Sequence, residues 1–288
     1  MFRYFITTIV AIAAIAGIYT QYKHYNENPW TRDGQVRAHI IQITPRVTGP
    51  VVKIGINDNS QVNKGDLLFE IDPSLYQVSL NNALAKQLQA KAVLDKAINE
   101  NNRATALEKR KQGTVSVLDL NNFENAVQTA KANLAAVNAL VEEAQLNLNF
   151  TKVYAPTGGF VTNLNLREGA QVVANSPVIA LIDKNSFWIE GFFKETDLKG
   201  VKSGDKALVT LMMDTDKIIK AQVDSIGYGI SKSDGSTGNT LLPTVNPNFQ
   251  WIRLAQRIPV KLLLNDVPED IQLRVGITAS VKIIKSNP

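Results

Sequence analysis

The spacing of apolar residues along this chain changes twice, and each spacing predicts a different element. From Leu120 to Leu148 the apolar positions fall three and four residues apart in turn: Phe123, Val127, Ala130, Leu134, Val137, Val141, Ala144 and Leu148. A repeat of 3.5 residues sustained over about four heptads predicts a coiled-coil seam. An ordinary surface helix would drift toward 3.6 and carry a broader apolar face. The preceding stretch, Leu75 to Lys111, is also helical in pattern. Its apolar ridge reads Leu80, Leu84, Leu88, Leu94 and Ile98, with Gln87 and Lys91 intruding. Gly113 and Thr114 stand between the two stretches, where a helix would stop. Arms of similar length around a central break predict an antiparallel hairpin about 50 Å long.

On either side of this helical region the period shortens to that of strands. "PRVTGPVVKIGINDNSQVNKGDLLFEID" (Pro45 to Asp72) is echoed by "APTGGFVTNLNLREGAQVVANSPVIALID" (Ala155 to Asp183). Gly49 matches Gly159, Val51 matches Val161, and Gln61-Val62 matches Gln171-Val172. One extra residue in the second copy would set Ile71-Asp72 on Ile182-Asp183. Turn chemistry ("NDNS", "NKGD", "REGA", "ANSP") separates short apolar runs in both copies. Neither copy is large enough to bury its own face, so two halves packed face to face in one sandwich are expected. The helices between them are then an insertion that leaves one half and returns to the other. After Asp183, "SFWIEGFF", "DKALVTLMM", "IIKAQVDSI", "RIPVKLLL" and "ITASVKII" read as strands of a small barrel or sandwich. The polar stretch Gly227 to Asn248 reads as a long loop, since it lacks the strand, helix and Gly-Lys-Ser/Thr context of a phosphate cradle.

The first residues add a different element. Tyr4 to Thr20 carries no charge, follows Arg3 and precedes Lys23 and His24. As a helix it would rise about 27 Å, the low end for spanning a bilayer core. A cleaved signal peptide ending near Ala14-Ile15-Ala16 is the rival reading. The apolar run continues through Ile18 and Tyr19, and Tyr22, Tyr25 and Trp30 suit an interfacial aromatic belt, which favours an uncleaved inner-membrane anchor. The bulk of the chain is then expected in the periplasm.

Composition narrows the function. The 288 residues include no cysteine, which removes disulfides, thiol nucleophiles and zinc-cysteine sites. A net charge of +5, scattered among acids, is not the concentrated basic stripe of a nucleic-acid binder. The two histidines, His24 and His39, have no nucleophile or metal-spaced partner nearby in sequence, and no HExxH, GxSxG or P-loop occurs. No catalytic, metal or cofactor residues are expected.

In layout and residues the chain resembles the HlyD-type membrane fusion proteins, periplasmic adaptors of tripartite export systems, whose repeat halves form a split lipoyl-like (barrel-sandwich hybrid) domain. The resembling stretches outside the repeats are "ENPWTRDGQV" (Glu27 to Val36), "NSFWIEGFFKETDLKGVKSG" (Asn185 to Gly204) and "WIRLAQRIPVKLLL" (Trp251 to Leu264). They point to the branch that contains p-hydroxybenzoic acid efflux adaptors. The fold expected is mainly β with a long α-helical coiled-coil hairpin. The resemblance sets an order of domains: anchor 1–23, linker and joining strand 24–44, first lipoyl-like half 45–73, hairpin 74–150, second half 151–184, and β-barrel with membrane-proximal β-domain 185–288. It implies an inner-membrane transporter and an outer-membrane TolC-type channel as partners, self-association into a ring, and no enzymatic step. Aromatic carboxylic acids are the implied cargo, with a proton- or ATP-driven multidrug pump as the alternative. A biotin or lipoate carrier is disfavoured, because the link between the halves, where the modified lysine would stand, is the helical insertion.

Adaptors of this kind often carry an Arg-Leu-Ser pattern at the hairpin tip, for contact with the duct. Here Leu107, Arg110 and Ser116 are the corresponding residues, although Leu107 precedes Ser116 by more than the usual spacing and Arg103 lies further back. Ser116, with Asp119 three residues on, equally fits a helix N-cap.

Overall fold

The computed structural model describes residues 12, 14–17, 28–229, 255–268 and 270–286. Most of the charge-free run expected as an anchor, and the loop from residue 230 onward, lie outside these. Among the described residues no helix is long and apolar enough to cross a membrane. The chain forms two compact units, Ile40–Asp183 and a second made of Met1–His39 with Lys184–Pro288.

In the first unit, strands β2 (Ile40–Ile43), β3 (Gly49–Ile54), β4 (Gln61–Val62) and β5 (Leu67–Ile71) precede the helices α1 (Ser74–Arg110) and α2 (Val117–Asn149). Strands β6 (Lys152–Tyr154), β7 (Gly159–Thr162), β8 (Gln171–Val172) and β9 (Ile179–Asp183) follow them. The two repeats do not form one sheet each, as face-to-face halves would. The sheets run β2-β9-β7-β4 and β6-β5-β3-β8, so β4 of the first repeat lies with β7 and β9 of the second, and β8 of the second lies with β3 and β5 of the first, while β2 and β6 come from just before each repeat. A half that lends strands to its counterpart's sheet has no stable form alone, and this ties the entry and exit of the hairpin together.

The repeat is exact in its constraints. Val51 and Val161, Val62 and Val172, and Ile71 and Leu181 fill one core at equivalent positions. Val51 pairs with Ile71, and Val161 with Leu181. Ile71 therefore corresponds to the buried Leu181 and not to Ile182, and no extra residue is needed at that point; Ile182 is only half-buried. Backbone conformation repeats as well. Asn59 (φ 58°) matches Gly169 (φ 84°), and Gly65 (φ 91°) matches Asn175 (φ 63°). Glycine and asparagine exchange there because both tolerate the left-handed region. Gly159 is held by space: a Cβ there would lie 2.0 Å from the Ile182 carbonyl oxygen.

The second unit is a closed six-stranded barrel, in order β1-β10-β13-β12-β11-β14. Its strands are β1 (Trp30–Arg37), β10 (Trp188–Lys194), β11 (Lys206–Leu211), β12 (Asp214–Ile226), β13 (Arg257–Asn265) and β14 (Thr278–Ile284). Five of the six were legible after Asp183. The sixth, β1, lies in the stretch read as a linker and joining strand, and it closes the barrel between β10 and β14. Alternation explains the core: Val36, Ile189, Val209, Ile219, Leu262 and Val281 point inward and are essentially fully buried.

Asp205 is the buried acid of this barrel, 2% exposed. It accepts hydrogen bonds from the Lys202 N–H (2.8 Å), the Ser286 N–H (3.1 Å) and the Ser286 hydroxyl (2.6 Å). Burial alone would raise its pKa, but the donors from Ser286 and Lys202 outweigh this and hold the carboxyl below its ordinary value. Asp205→Ala strands those N–H groups and should cost about 3 kcal/mol of barrel stability, read by thermal denaturation. Because the folded pKa is depressed, the stabilisation is present above the ordinary carboxylate range and disappears as pH falls through the lowered value.

Candidate functional site: the hairpin and its tip

Helix α1 at 1.5 Å per residue extends about 55 Å, and α2 about 50 Å. Every α2 seam position named from the sequence is buried or half-buried, and the residues between them are nearly all exposed. Ala130 and Ala144 are the most enclosed.

The opposing seam differs from the expected ridge. On α1 the buried residues are Leu80, Ala83, Ala90, Ala97 and Ala104. Leu84, Leu88 and Ile98 instead lie on the exposed side, with Leu88 69% accessible. Alanine every seventh residue, at 83, 90, 97 and 104, is the sequence signal of this seam. Small side chains on one arm leave room for the larger Val127, Leu134, Val137 and Val141 of the other, as interdigitating cores require. Gln87 belongs to the seam and does not interrupt it. Its Nε2 donates to Asn138 Oδ1 across the arms at 2.8 Å. Asn138 is exposed, so this bond marks the register of the two arms at the edge of the seam, and water would satisfy its amides if the arms slid.

Toward the tip the seam becomes polar. Asn101, Thr105 and Glu108 of α1 face a groove shared with Leu120, Glu124 and Val127 of α2. Glu108 is the organising residue, and the sequence reading missed it. Its Oε1 accepts the Gly113 N–H at 2.8 Å, and its Oε2 accepts the Val115 N–H at 2.9 Å. One carboxylate thus gathers both ends of a turn in which Gly113 sits at φ 77°. Thr114 adds hydrogen bonds from its N–H and hydroxyl to the Lys111 carbonyl. The N–H groups of Val115 and Gly113, in that order, hold the Glu108 carboxyl below its ordinary pKa. With the folded pKa depressed, the brace holds above the usual carboxylate range and is lost as pH falls through and below it. Hydrogen-exchange protection of Gly113 and Val115 should therefore decline on acidification, and Glu108→Ala should remove it at neutral pH.

The predicted tip residues are all exposed. Arg103, Leu107 and Arg110 are spaced i, i+4 and i+7, so they share one face of α1, away from the seam. Ser116 caps α2, its Oγ accepting the Leu118 N–H at 3.2 Å. Two further apolar residues accompany them: Val117 and Leu118, in the first turn of α2, are 74% and 68% exposed. They could have been found as apolar residues that fall off the seam spacing set by Leu120 and Phe123. The tip is therefore a braced turn presenting apolar and cationic side chains to solvent, with no catalytic grouping. Among the described residues no three histidine or carboxylate side chains gather as a metal site.

Comparison with known proteins gives consistent matches. Residues 39–184 match the family model described as RND MFP, barrel-sandwich hybrid domain. Residues 186–284 match the AAEA-like beta-barrel domain. A relative from Escherichia coli (strain K12), called "Uncharacterized protein YdhJ", is 39% identical over 281 residues, which is 98% of this chain and 97% of that one. Among solved structures, the membrane fusion protein Spr0693 from Streptococcus pneumoniae R6 superposes with a TM-score of 0.66 at 15% identity, over 90% of this chain and 99% of that one. A MacA-MexA chimera containing the Pseudomonas aeruginosa MexA α-hairpin domain gives 0.59 at 24% identity, over 90% and 81%. At such identities the superpositions establish the fold.

Proposed function

The chain belongs to the RND-type membrane fusion protein family, and from that premise we propose how it serves as the periplasmic adaptor of a tripartite efflux system. Proteins of this family are adaptors and not enzymes. In this reading the charge-free run Tyr4–Thr20 is a single-pass inner-membrane anchor, and the domains follow the order set out from the sequence. The β-units meet an inner-membrane transporter, and the hairpin tip meets an outer-membrane TolC-type channel. Leu107, Arg110 and Ser116 contact that channel, with Val117 and Leu118 beside them. The braced tip is the observation that carries this reading. A turn held by Glu108 at the far end of about 50 Å of helix keeps its apolar residues in water unless a partner covers them. Side-by-side copies in a ring account for the exposed Leu84 and Leu88 on one flank of α1 and Val93 on the other.

The cargo is an aromatic carboxylic acid such as p-hydroxybenzoate. The support is the likeness of Asn185 to Gly204 to adaptors of that branch and the match of residues 186–284 to the AAEA-like barrel. Cells lacking the chain should accumulate labelled p-hydroxybenzoate several-fold over cells that carry it. Unchanged accumulation of the acid together with increased retention of drugs would instead assign a multidrug pump.

A further inference from the structure

The barrel wall formed by β1, β14, β11 and β12 has an unusual outer face. The register places Trp30 opposite Lys282, Lys282 opposite Leu208, and Leu208 opposite Lys220. One row across four strands thus alternates apolar and cationic side chains. The neighbouring row sets Ile284 beside Lys206. The five on β11, β12 and β14 point outward because the residues alternating with them fill the barrel core, and Trp30 shares their side because it pairs directly with Lys282. Trp30 is 43% exposed, and the three lysines are exposed. No carboxylate lies in either row, and among the described residues no acid pairs with Lys206, Lys220 or Lys282, although Asp33, Asp214 and Asp224 elsewhere on the barrel each have a cationic partner.

We propose that this wall of the barrel seats on the surface of a bilayer containing anionic phospholipid, with Trp30, Leu208 and Ile284 at the headgroup boundary and Lys206, Lys220 and Lys282 on lipid phosphates. The proposal rests on the reading of residues 4–20 as a membrane anchor. The chemistry is that of an interfacial surface: tryptophan is enriched at headgroup level, and lysine lays its apolar stem along the boundary while its ammonium meets anionic headgroups. The chain supplies the proximity. Trp30 begins β1, and residues 21–29, between the charge-free run and that strand, span at most about 30 Å when extended. A second copy of the same wall is disfavoured as the occupant, because a two-fold contact would set lysines against lysines.

The absence of cysteine makes the test direct, since a single introduced thiol is the only one to label. Full-length protein carrying Ile284→Cys is labelled with an environment-sensitive fluorophore and reconstituted into vesicles of phosphatidylcholine, with or without phosphatidylglycerol, that contain headgroup nitroxide lipid. Lys261→Cys, on β13 across the barrel, is the comparison site. Quenching at position 284 is expected with phosphatidylglycerol, and it should fall in phosphatidylcholine alone or at 0.5 M salt, while position 261 stays unquenched. Lys206→Glu, Lys220→Glu and Lys282→Glu together should lower the ratio of seated to lifted barrel about a hundredfold. The three lysine-to-glutamine changes should act in the same direction without adding repulsion. Equal quenching at both sites, indifference to lipid charge and salt, or a change at position 284 that follows protein concentration alone would overturn the proposal. Extraction of the chain by carbonate would overturn the anchor, a separate result, and the contrast between vesicle types would still decide the face.

Discussion

Leu134→Asp is expected to open the helical hairpin while the β-core stays folded. Leu134 occupies the middle of the α2 seam, and the Gln87–Asn138 hydrogen bond marks an antiparallel register that brings it level with the turn of α1 containing Ala90 and Leu94. A carboxylate there meets alanine and leucine, and the nearest cations, Lys91 and Lys131, are exposed beside the seam and not within it. The cost is on the order of 3 kcal/mol before water and side chains relax. That is large for two helices joined only to each other along most of their length, because isolated helices have little stability of their own. The sandwich core, built from Val51, Val62, Ile71, Val161, Val172 and Leu181, contains none of these residues. Helical circular dichroism should therefore drop, the β-core should keep its protection from hydrogen exchange, and export should fail. Full export with an intact helical signal would contradict the seam.

The second large effect is expected at the tip. Arg110→Asp combined with Ser116→Arg should reduce docking to the outer-membrane channel about a hundredfold or more, since interface energy concentrates in a few central residues and arginine is enriched among them. Ser116 needs a control because it also caps α2. Losing a cap costs about 1 kcal/mol by itself. Ser116→Asp retains a capping oxygen while changing what the tip presents, so it separates contact from capping. Binding to the inner-membrane transporter should survive in each variant. Loss of both contacts together would indicate misfolding.

What could be read in advance depended on side-chain size and spacing. The α2 seam was legible because valine, leucine and phenylalanine mark it at alternating intervals of three and four. The α1 seam was legible only at Leu80 and Leu94, because its other positions hold alanine, glutamine and asparagine while Leu84, Leu88 and Ile98 lie outside it. A size-weighted reading follows the leucines, whereas packing follows the gaps that the opposite arm leaves. The twofold repeat was legible through Gly49 and Gly159. The exchange of strands between halves was not, because strand pairing is a long-range property that alternation cannot report. Strand β1 was obscured by its distance from the other barrel strands: Gly34 pairs with Gly191 and with Ala279, far along the chain. Glu108 was obscured for a different reason. A glutamate near a helix end reads as a solvated charge until the turn beyond it folds back and offers two N–H groups.

The account depends on the tip meeting an outer-membrane partner, and one measurement tests that directly. Thr114→Cys in this cysteine-free chain places a photo-activated cross-linker at the turn, and Lys131→Cys places it on the outer side of α2, away from the tip. In living cells the cross-linker at 114 should capture a TolC-type outer-membrane protein. The cross-linker at 131 should not, and Arg110→Asp with Ser116→Arg should abolish the product at 114. Capture of the same protein from both positions, or capture at 114 of inner-membrane partners alone, would contradict the hairpin's role as the arm that reaches the duct.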